Sequence, residues 1–333
     1  WDQETYMPSG AVDERSRQLS LLSSLVHERI TSDTVMSVFS GAERFEDIAF
    51  ESGAEAADRA FVRKFFDGYR KQALMPSSLV SELSRQASVT QHIWAKARTE
   101  NNYPLFSGEF SKMLLLVKEK AECLGYDKTP YDALLDEYEK GMTSSLLEGI
   151  FNTVEKRVGN LLEKILSAKQ IDDSLFYGSF SPDGQEKLGR EVLDWLGYDT
   201  QRGRMDVSAH PFTTTLGFSD VRITTRYRED YFLSGLYGII HECGHALYEQ
   251  GFSDDIKDTC LAEGTSLGIH ESQSRLWENV VGRSAGFAEF IWPRFTGYFP
   301  EAGNGRNAED FFKGVNRVEP SLIRINADEV TYN

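Results

Sequence analysis

The chain has 333 residues, 40% of them hydrophobic, which is enough for one large core or two medium ones. Its 52 Asp and Glu against 36 Lys and Arg leave a net charge of −16, which argues against nucleic acid and anionic membranes as partners, since an acidic surface releases no counterions from them. No apolar run approaches the roughly 20 residues that cross a bilayer and no basic-then-apolar leader is visible, while three unpatterned cysteines (Cys123, Cys243, Cys260) fit a reducing cytoplasm better than a disulfide framework.

Helical periodicity dominates the first 200 residues. Amphipathic patterns cover roughly 11–30, 56–73, 77–101 and 108–123. Thr129-Pro130 and Ser181-Pro182 are helix start signals, and Gly197 closes the helix that follows the second. Between them, residues 143–167 place Leu146, Ile150, Val154, Val158, Leu161 and Ile165 on one face. The texture changes near residue 200. Gly203 to Ser208 and Asp220 to Tyr227 are short and β-branched, and in the second Val221, Ile223 and Thr225 alternate with Arg222, Thr224 and Arg226, the period of a half-buried strand. Helix is expected again from about Glu229 to Gly251, and once more over 262–284. No repeat or low-complexity linker interrupts the chain. It therefore reads as one continuous, mainly α domain, with a helical scaffold over 1–200 and a small sheet beside a chemically important helix in 201–333. Opening on Trp1 and stopping within NADEVTYN, it also reads as a segment of something longer.

The chemistry concentrates in GIIHECGHALYEQG, residues 238–251. Four of the six histidines (His210, His241, His245, His270) fall between residues 210 and 270. His27 and His92 are read as packed or solvated residues. Residues four apart on a helix share a face, so His241 and His245 can converge on one ion. Glu242 is rotated about 100° from His241 and is better placed as a general base toward a water than as a ligand. A catalytic zinc wants three protein ligands and an open position. A third histidine in the same segment is excluded by Tyr248 and Gly251. That leaves Glu249, Glu263 and Glu271. Glu249 lies along the helix axis from the pair, and Glu271, within GIHESQSR, suits a helix-turn-helix return; Glu263 could then orient a ligand imidazole. Glu249 and Glu278 otherwise read as solvated helix-face charges, and Cys243 as a packing residue.

HPF at 210–212, DVRIT at 220–224, HECGH at 241–245, HESQSR at 270–275 and IRINADEVTY at 323–332, with WDQETYMP at the start, follow one another in an order that resembles the signature blocks of the Taq-type thermostable metallocarboxypeptidases. The resemblance covers essentially the whole chain. It implies an elongated, mainly α metallopeptidase with a deep cleft and a small β-sheet next to the HExxH helix. Such an enzyme is usually a homodimer, uses zinc or cobalt, and removes C-terminal amino acids from peptides with broad specificity. Residue by residue it implies His241, His245 and Glu271 as ligands and Glu242 as base. A more distant likeness to the angiotensin-converting enzyme group implies that His210 bonds the substrate backbone, that Arg222 lines the cleft, and that Glu263 stands behind the ligands; His270 is a further candidate for that supporting position. The DVRIT strand could pair with an extended peptide, Arg222 and Thr224 facing it. Arg324, then Arg222, are the candidates for the substrate's α-carboxylate. In the converting enzymes an acid follows the glutamate ligand by four residues. Here that position is Arg275, as in the resembled family, so an orienting acid must come from elsewhere. The family also continues past ADEVTY, where the oxyanion-stabilising tyrosine or histidine is expected. Alternatives are a helical zinc oligopeptidase cutting dipeptides or internal bonds, and an inactive truncated scaffold with a metal site.

Overall fold

The computed structural model describes residues 1–50 and 54–319. IRINADEVTY, and Arg324 with it, lies outside the described residues. Helices dominate, as expected, and three short strands form a single sheet. No described helix is long and apolar enough to cross a membrane. The chain divides into two compact units, one comprising Trp1–Thr143 with Asp255–Glu263, the other Ser144–Asp254 with Gly264 onward. The textural change near residue 200 thus lies inside the second unit.

The first unit holds α1 (Asp2–Thr5), α2 (Val12–Ile30), α3 (Asp33–Val38), α4 (Ala56–Ala73), α5 (Ser77–Thr99), α6 (Tyr103–Leu124) and α7 (Pro130–Tyr138). α5 packs against both α2 and α6. Serines line part of the α2–α5 seam, Ser23 Oγ donating to Ser84 Oγ over 2.9 Å and Ser20 Oγ to the Ser81 carbonyl over 3.0 Å. His27 is buried there. Its Nε2 lies 3.0 Å from the carbonyls of Gln72 and Met75, and its Nδ1 lies 3.2 Å from Ser77 Oγ. It is a packing histidine with satisfied nitrogens.

The second unit begins with α8 (Ser144–Ser167), which has no buried residue among those described. Its periodic face is only partly covered, with Leu146, Ile150 and Leu161 at least half exposed and Val154, Val158 and Ile165 partly buried. Periodicity correctly specified the helix, but within this unit the apolar stripe is not fully packed. α9 (Pro182–Leu196) follows, with the Ser181 side chain accepting from the Gly184 N–H at 3.2 Å and Gly197 closing it in the left-handed region at φ +84°.

The sheet has the order β1 (Met205–Val207), β3 (Asp220–Thr225), β2 (Thr213–Gly217). β1 runs parallel to β3 with Met205 opposite Ile223, and β2 runs antiparallel with Thr213 opposite Ile223. β2 is an addition to the sequence reading. Its Thr-Thr-Thr run was its only local signal, and strand status comes from pairing with β3. β3 is buried on both faces at its end, because Val221, Ile223, Thr224 and Thr225 are all fully enclosed.

α10 (Phe232–Gln250) is the element around which this unit is built. A helix apolar nearly all round must be enclosed, and α10 packs against α9, β2, β3 and α11 (Leu267–Arg275). Leu233, Leu236 and Ile240 join the aromatic cluster of Phe176, Phe180, Phe232, Phe295 and Phe311, completed by α12 (Ala285–Tyr298) and α13 (Ala308–Val315). Ile239, Cys243 and Ala246 face Val221 and Ile223 of the sheet instead. Burial pushes the Cys243 thiol up to about 12, in keeping with a packing role. The helix expected over 262–284 begins only at Leu267, where Ser266 caps it, and changes to π winding over Leu276–Val281.

Gly244 allows α11 to approach. A Cβ there would stand 2.6 Å from Ser274 Cα and 2.9 Å from the Gln273 carbonyl, both backbone atoms that cannot swing aside. Gly244→Ala is therefore expected to lose about 1–3 kcal/mol in a denaturant titration. Gly149→Ala, on the open α8 surface, should be neutral or slightly stabilising in the same assay.

Candidate metal centre

One helical turn separates His241 from His245, and both rings leave α10 on the side facing α11. There Glu271 Oε2 stands 3.6 Å from His241 Nε2 and 3.3 Å from His245 Nε2. Ligand atoms of the three side chains all fall within 4.8 Å of one another. Donors held at zinc–nitrogen and zinc–oxygen bond lengths in a tetrahedron are separated by about 3.3 Å. Two of the three edges are thus near that length already. The donor set of two imidazoles and one carboxylate suits zinc or a similar divalent ion, and Glu271, about one-third exposed, leaves one side open.

Behind the His241 ring lies a second carboxylate. His241 Nδ1 donates to Glu278 Oε2 over 2.7 Å. Glu278 is buried, with Arg275 and Arg283 guanidinium nitrogens each 3.7 Å from its oxygens. Arg283 is fixed in turn by the Val315 carbonyl and lies over the Tyr237 ring. Glu278 is therefore not a solvated helix-face charge, as its sequence suggested. It is the orienting acid that Arg275 does not supply, seven residues beyond Glu271 in the π-wound stretch that follows α11. Burial opposes ionisation of Glu278, but its bond to His241 and the two arginines outweigh burial and hold it below the usual carboxylate range. Burial likewise opposes charge on His241, but the bond to Glu278 overcomes it and raises the imidazole above its ordinary value.

Glu242 is buried against the sheet. Thr213 Oγ1 donates to its Oε2 at 2.7 Å and lies 3.0 Å from its main-chain carbonyl. Burial raises its carboxyl above the usual range, although His241, Thr213 and His245 pull the other way. Burial thus makes this carboxylate a better proton acceptor than an exposed one. On the far side of His245, His270 Nδ1 lies 2.6 Å from His245 Nδ1, and His270 Nε2 lies 2.7 Å from Glu249 Oε1. Glu249, also expected in solvent, is buried, and Thr215 Oγ1 donates to its Oε2 over 3.2 Å.

The remaining expected residues fall as follows. His210 is exposed, its carbonyl accepting from Ser208 Oγ over 2.6 Å. Arg222 is partly buried and forks onto Asp220 through two 2.7 Å bonds. Thr224 does not face outward. It is fully buried, and its Oγ1 accepts from Ser208 Oγ at 2.7 Å and from the Phe212 N–H at 2.9 Å. Nor can β3 take on a further strand, because it is central and paired on both sides. Glu263 pairs with Lys64 over 3.1 Å within the first unit, and the orienting carboxylates beside the histidines are Glu278 and Glu249.

Residues 1–333, the whole chain, match the family described as Carboxypeptidase Taq (M32) metallopeptidase. The chain belongs to that metallopeptidase family. It is 39% identical to thermostable carboxypeptidase 1 of Thermus thermophilus, the match covering 100% of this chain and 66% of the relative. A solved carboxypeptidase structure from Pyrococcus furiosus matches with a TM-score of 0.86 at 36% identity, and an M32 carboxypeptidase from Deinococcus radiodurans with 0.85 at 35%; each match covers all of this chain and 66% of the other. The chain thus spans just under two-thirds of the length of these relatives. Family membership implies a divalent metal, and the donor set described above fits one.

A cation at Nε2 must displace the second proton of the His241 imidazolium, whose charge Glu278 stabilises, while the Nδ1 hydrogen stays on its bond to Glu278. Because the folded-state value of His241 is raised, metal affinity is expected to climb as pH rises through and above the ordinary histidine range near 6.5. Competition with a chromophoric chelator at several pH values checks this. Glu278→Gln should weaken binding about tenfold at high pH and move the climb to lower pH, since the charge that retains the proton is gone.

Proposed function

We propose that this chain carries the active centre of a zinc-dependent metallocarboxypeptidase that removes C-terminal residues from peptides with broad specificity. The observation that carries the reading is the convergence of His241, His245 and Glu271 with Glu242 buried beside them on the same helix. His241, His245 and Glu271 would hold zinc, or cobalt in its place, and a bound ion of this kind polarises a carbonyl and acidifies a water. Glu242 takes the proton from the attacking water and returns it to the leaving amine. Thr213 steers the Glu242 carboxylate through the Oγ1 bond to its Oε2.

An extended substrate needs a strand edge, and β2 supports that role better than β3. Among the described residues β2 pairs only with β3, and its threonines Thr213 and Thr215 bond Glu242 and Glu249. A peptide added along β2 would run beside α10. His210 in the segment leading into β2, and Arg222 opposite Thr214, are the proposed contacts for the peptide backbone and its carboxylate. Peptides are the proposed partners, and a second copy of the chain is proposed from the family resemblance. The reducing cytoplasm is the proposed compartment, on cysteine usage.

The deciding experiment is incubation of the purified protein with a ten-residue peptide, with and without a chelator, followed by mass spectrometry. Chelator-sensitive, stepwise loss of single C-terminal residues is the expected result. Internal fragments would replace this reading with an oligopeptidase, and no cleavage with an inactive metal-binding scaffold. Glu242→Gln should keep its metal content while turnover falls about 10²–10⁴-fold. Glu271→Ala should lose the metal itself, so unchanged zinc content by elemental analysis would remove Glu271 from the ligand set.

A further inference from the structure

The two candidate ligand histidines are supported differently. His241 meets a carboxylate directly, whereas His245 meets another imidazole, and only beyond it a carboxylate. With Glu249 ionised and His270 neutral, donor and acceptor chemistry sets the proton order along the second route. Glu249 is an acceptor when ionised, so His270 Nε2 must carry the hydrogen in the 2.7 Å bond between them. A neutral His270 is then left with a lone pair on Nδ1. The 2.6 Å contact with His245 Nδ1 requires one hydrogen between the two nitrogens, and it must belong to His245. His245 is thereby held with its proton on Nδ1 and its lone pair on Nε2, the nitrogen 3.3 Å from Glu271 Oε2.

From this geometry we infer that Glu249 and His270 form a tautomer-setting relay, in which Glu249 determines from two side chains away which nitrogen of His245 is available to a cation. The inference rests on the reading of His245 as a ligand. Each member is held in position. Thr215 occupies the second oxygen of Glu249, so the carboxylate cannot turn from His270 without giving up that bond. The His270 ring is inclined by 27° to His245, with Tyr248 against it at 5.3 Å between centroids. Gly264 lies so close that a Cβ there would stand 2.7 Å from His270 Cδ2. His270 also directly precedes Glu271, so the first turns of α11 deliver the ligand carboxylate and the relay imidazole together. If the proton order were reversed, His245 would present an N–H to the cation and could not bind it. Glu249 and His270 are positioning residues, since neither is among the three converging groups.

The relay can be read directly in the metal-free protein. With ¹⁵N-labelled histidine at about pH 8, where free imidazole is neutral, long-range ¹⁵N–¹H correlation should show His245 as the Nδ1–H tautomer and His270 as the Nε2–H tautomer. Glu249→Leu should turn both into tautomer mixtures and weaken zinc binding, measured by chelator competition, about 10–100-fold. His270→Asn supplies a carboxamide oxygen that accepts from His245 Nδ1–H with no need of Glu249. In that background Glu249→Leu should change zinc affinity less than about threefold, a decoupling that a purely structural role for Glu249 would not give. Thermal melts of each variant separate unfolding from relay loss, and Glu249→Met, which keeps the chain length but offers His270 Nε2–H no strong acceptor, serves if the leucine variant does not fold. An Nε2–H tautomer for His245 in the parent protein, or tautomers unaltered by Glu249→Leu or Glu249→Met, overturns the relay. His245→Ala distinguishes the two readings: zinc retained by that variant defeats the ligand assignment, whereas zinc lost there but held undiminished by Glu249→Leu defeats the relay.

Discussion

The approach of α11 to α10 at Gly244 is the constraint on which the rest of the site depends. Two histidines one turn apart on a helix define a line, and an ion needs a third donor off that line. The candidate donor, Glu271, comes from α11, and its approach is permitted because no side chain stands between the Gly244 Cα and the backbone of Gln273 and Ser274. The same contact that brings Glu271 to both Nε2 atoms brings Glu278 behind His241 and His270 behind His245. One glycine thus sets both the converging groups and their supports, which explains why α10 is apolar on nearly every other face: a helix meant to hold this register must be enclosed by its neighbours.

Enclosure carries a cost, because α10 and the segment after α11 bury three carboxylates. A buried carboxylate without partners is strongly disfavoured. Each of the three is satisfied differently. Glu278 is stabilised as an anion by His241 and two arginines, Glu249 bonds His270 and Thr215, and Glu242 meets one threonine hydroxyl while burial raises its basicity. Two carboxylates hold imidazoles in place and the third can accept a proton. The division of labour follows from what each one touches.

The strand pair has a comparable logic. β3 is buried and pinned, and Thr224, which by alternation should have faced out, is consumed in bonds to Ser208 and Phe212. β2, short and threonine-rich, lies at the edge and meets both Glu242 and Glu249 through its hydroxyls. It connects the candidate base, the relay and the edge that the three described strands leave on its outer side.

Locally determined features could be read from the sequence by itself. The face shared by His241 and His245, the offset of Glu242, the helix over 144–167 and the strand at 220–225 depend on backbone periods of 3.6 and 2, and these do not need a partner to be recognised. Ordered motifs likewise identified the family. Features set by long-range packing could not be read this way. Glu249 and Glu278 have the composition and local pattern of surface glutamates, yet both are buried, because burial is decided by elements far away in the chain. The α8 stripe errs in the opposite direction, a periodic apolar face that the described residues of its unit do not fully cover. The interval to Glu271 and the family resemblance favoured it over Glu249 and Glu263, but how close it comes to both histidines depends on where α11 lands against α10. Only the tertiary structure decides that, because a carboxylate's role is fixed by the atoms it meets and not by its place in the chain.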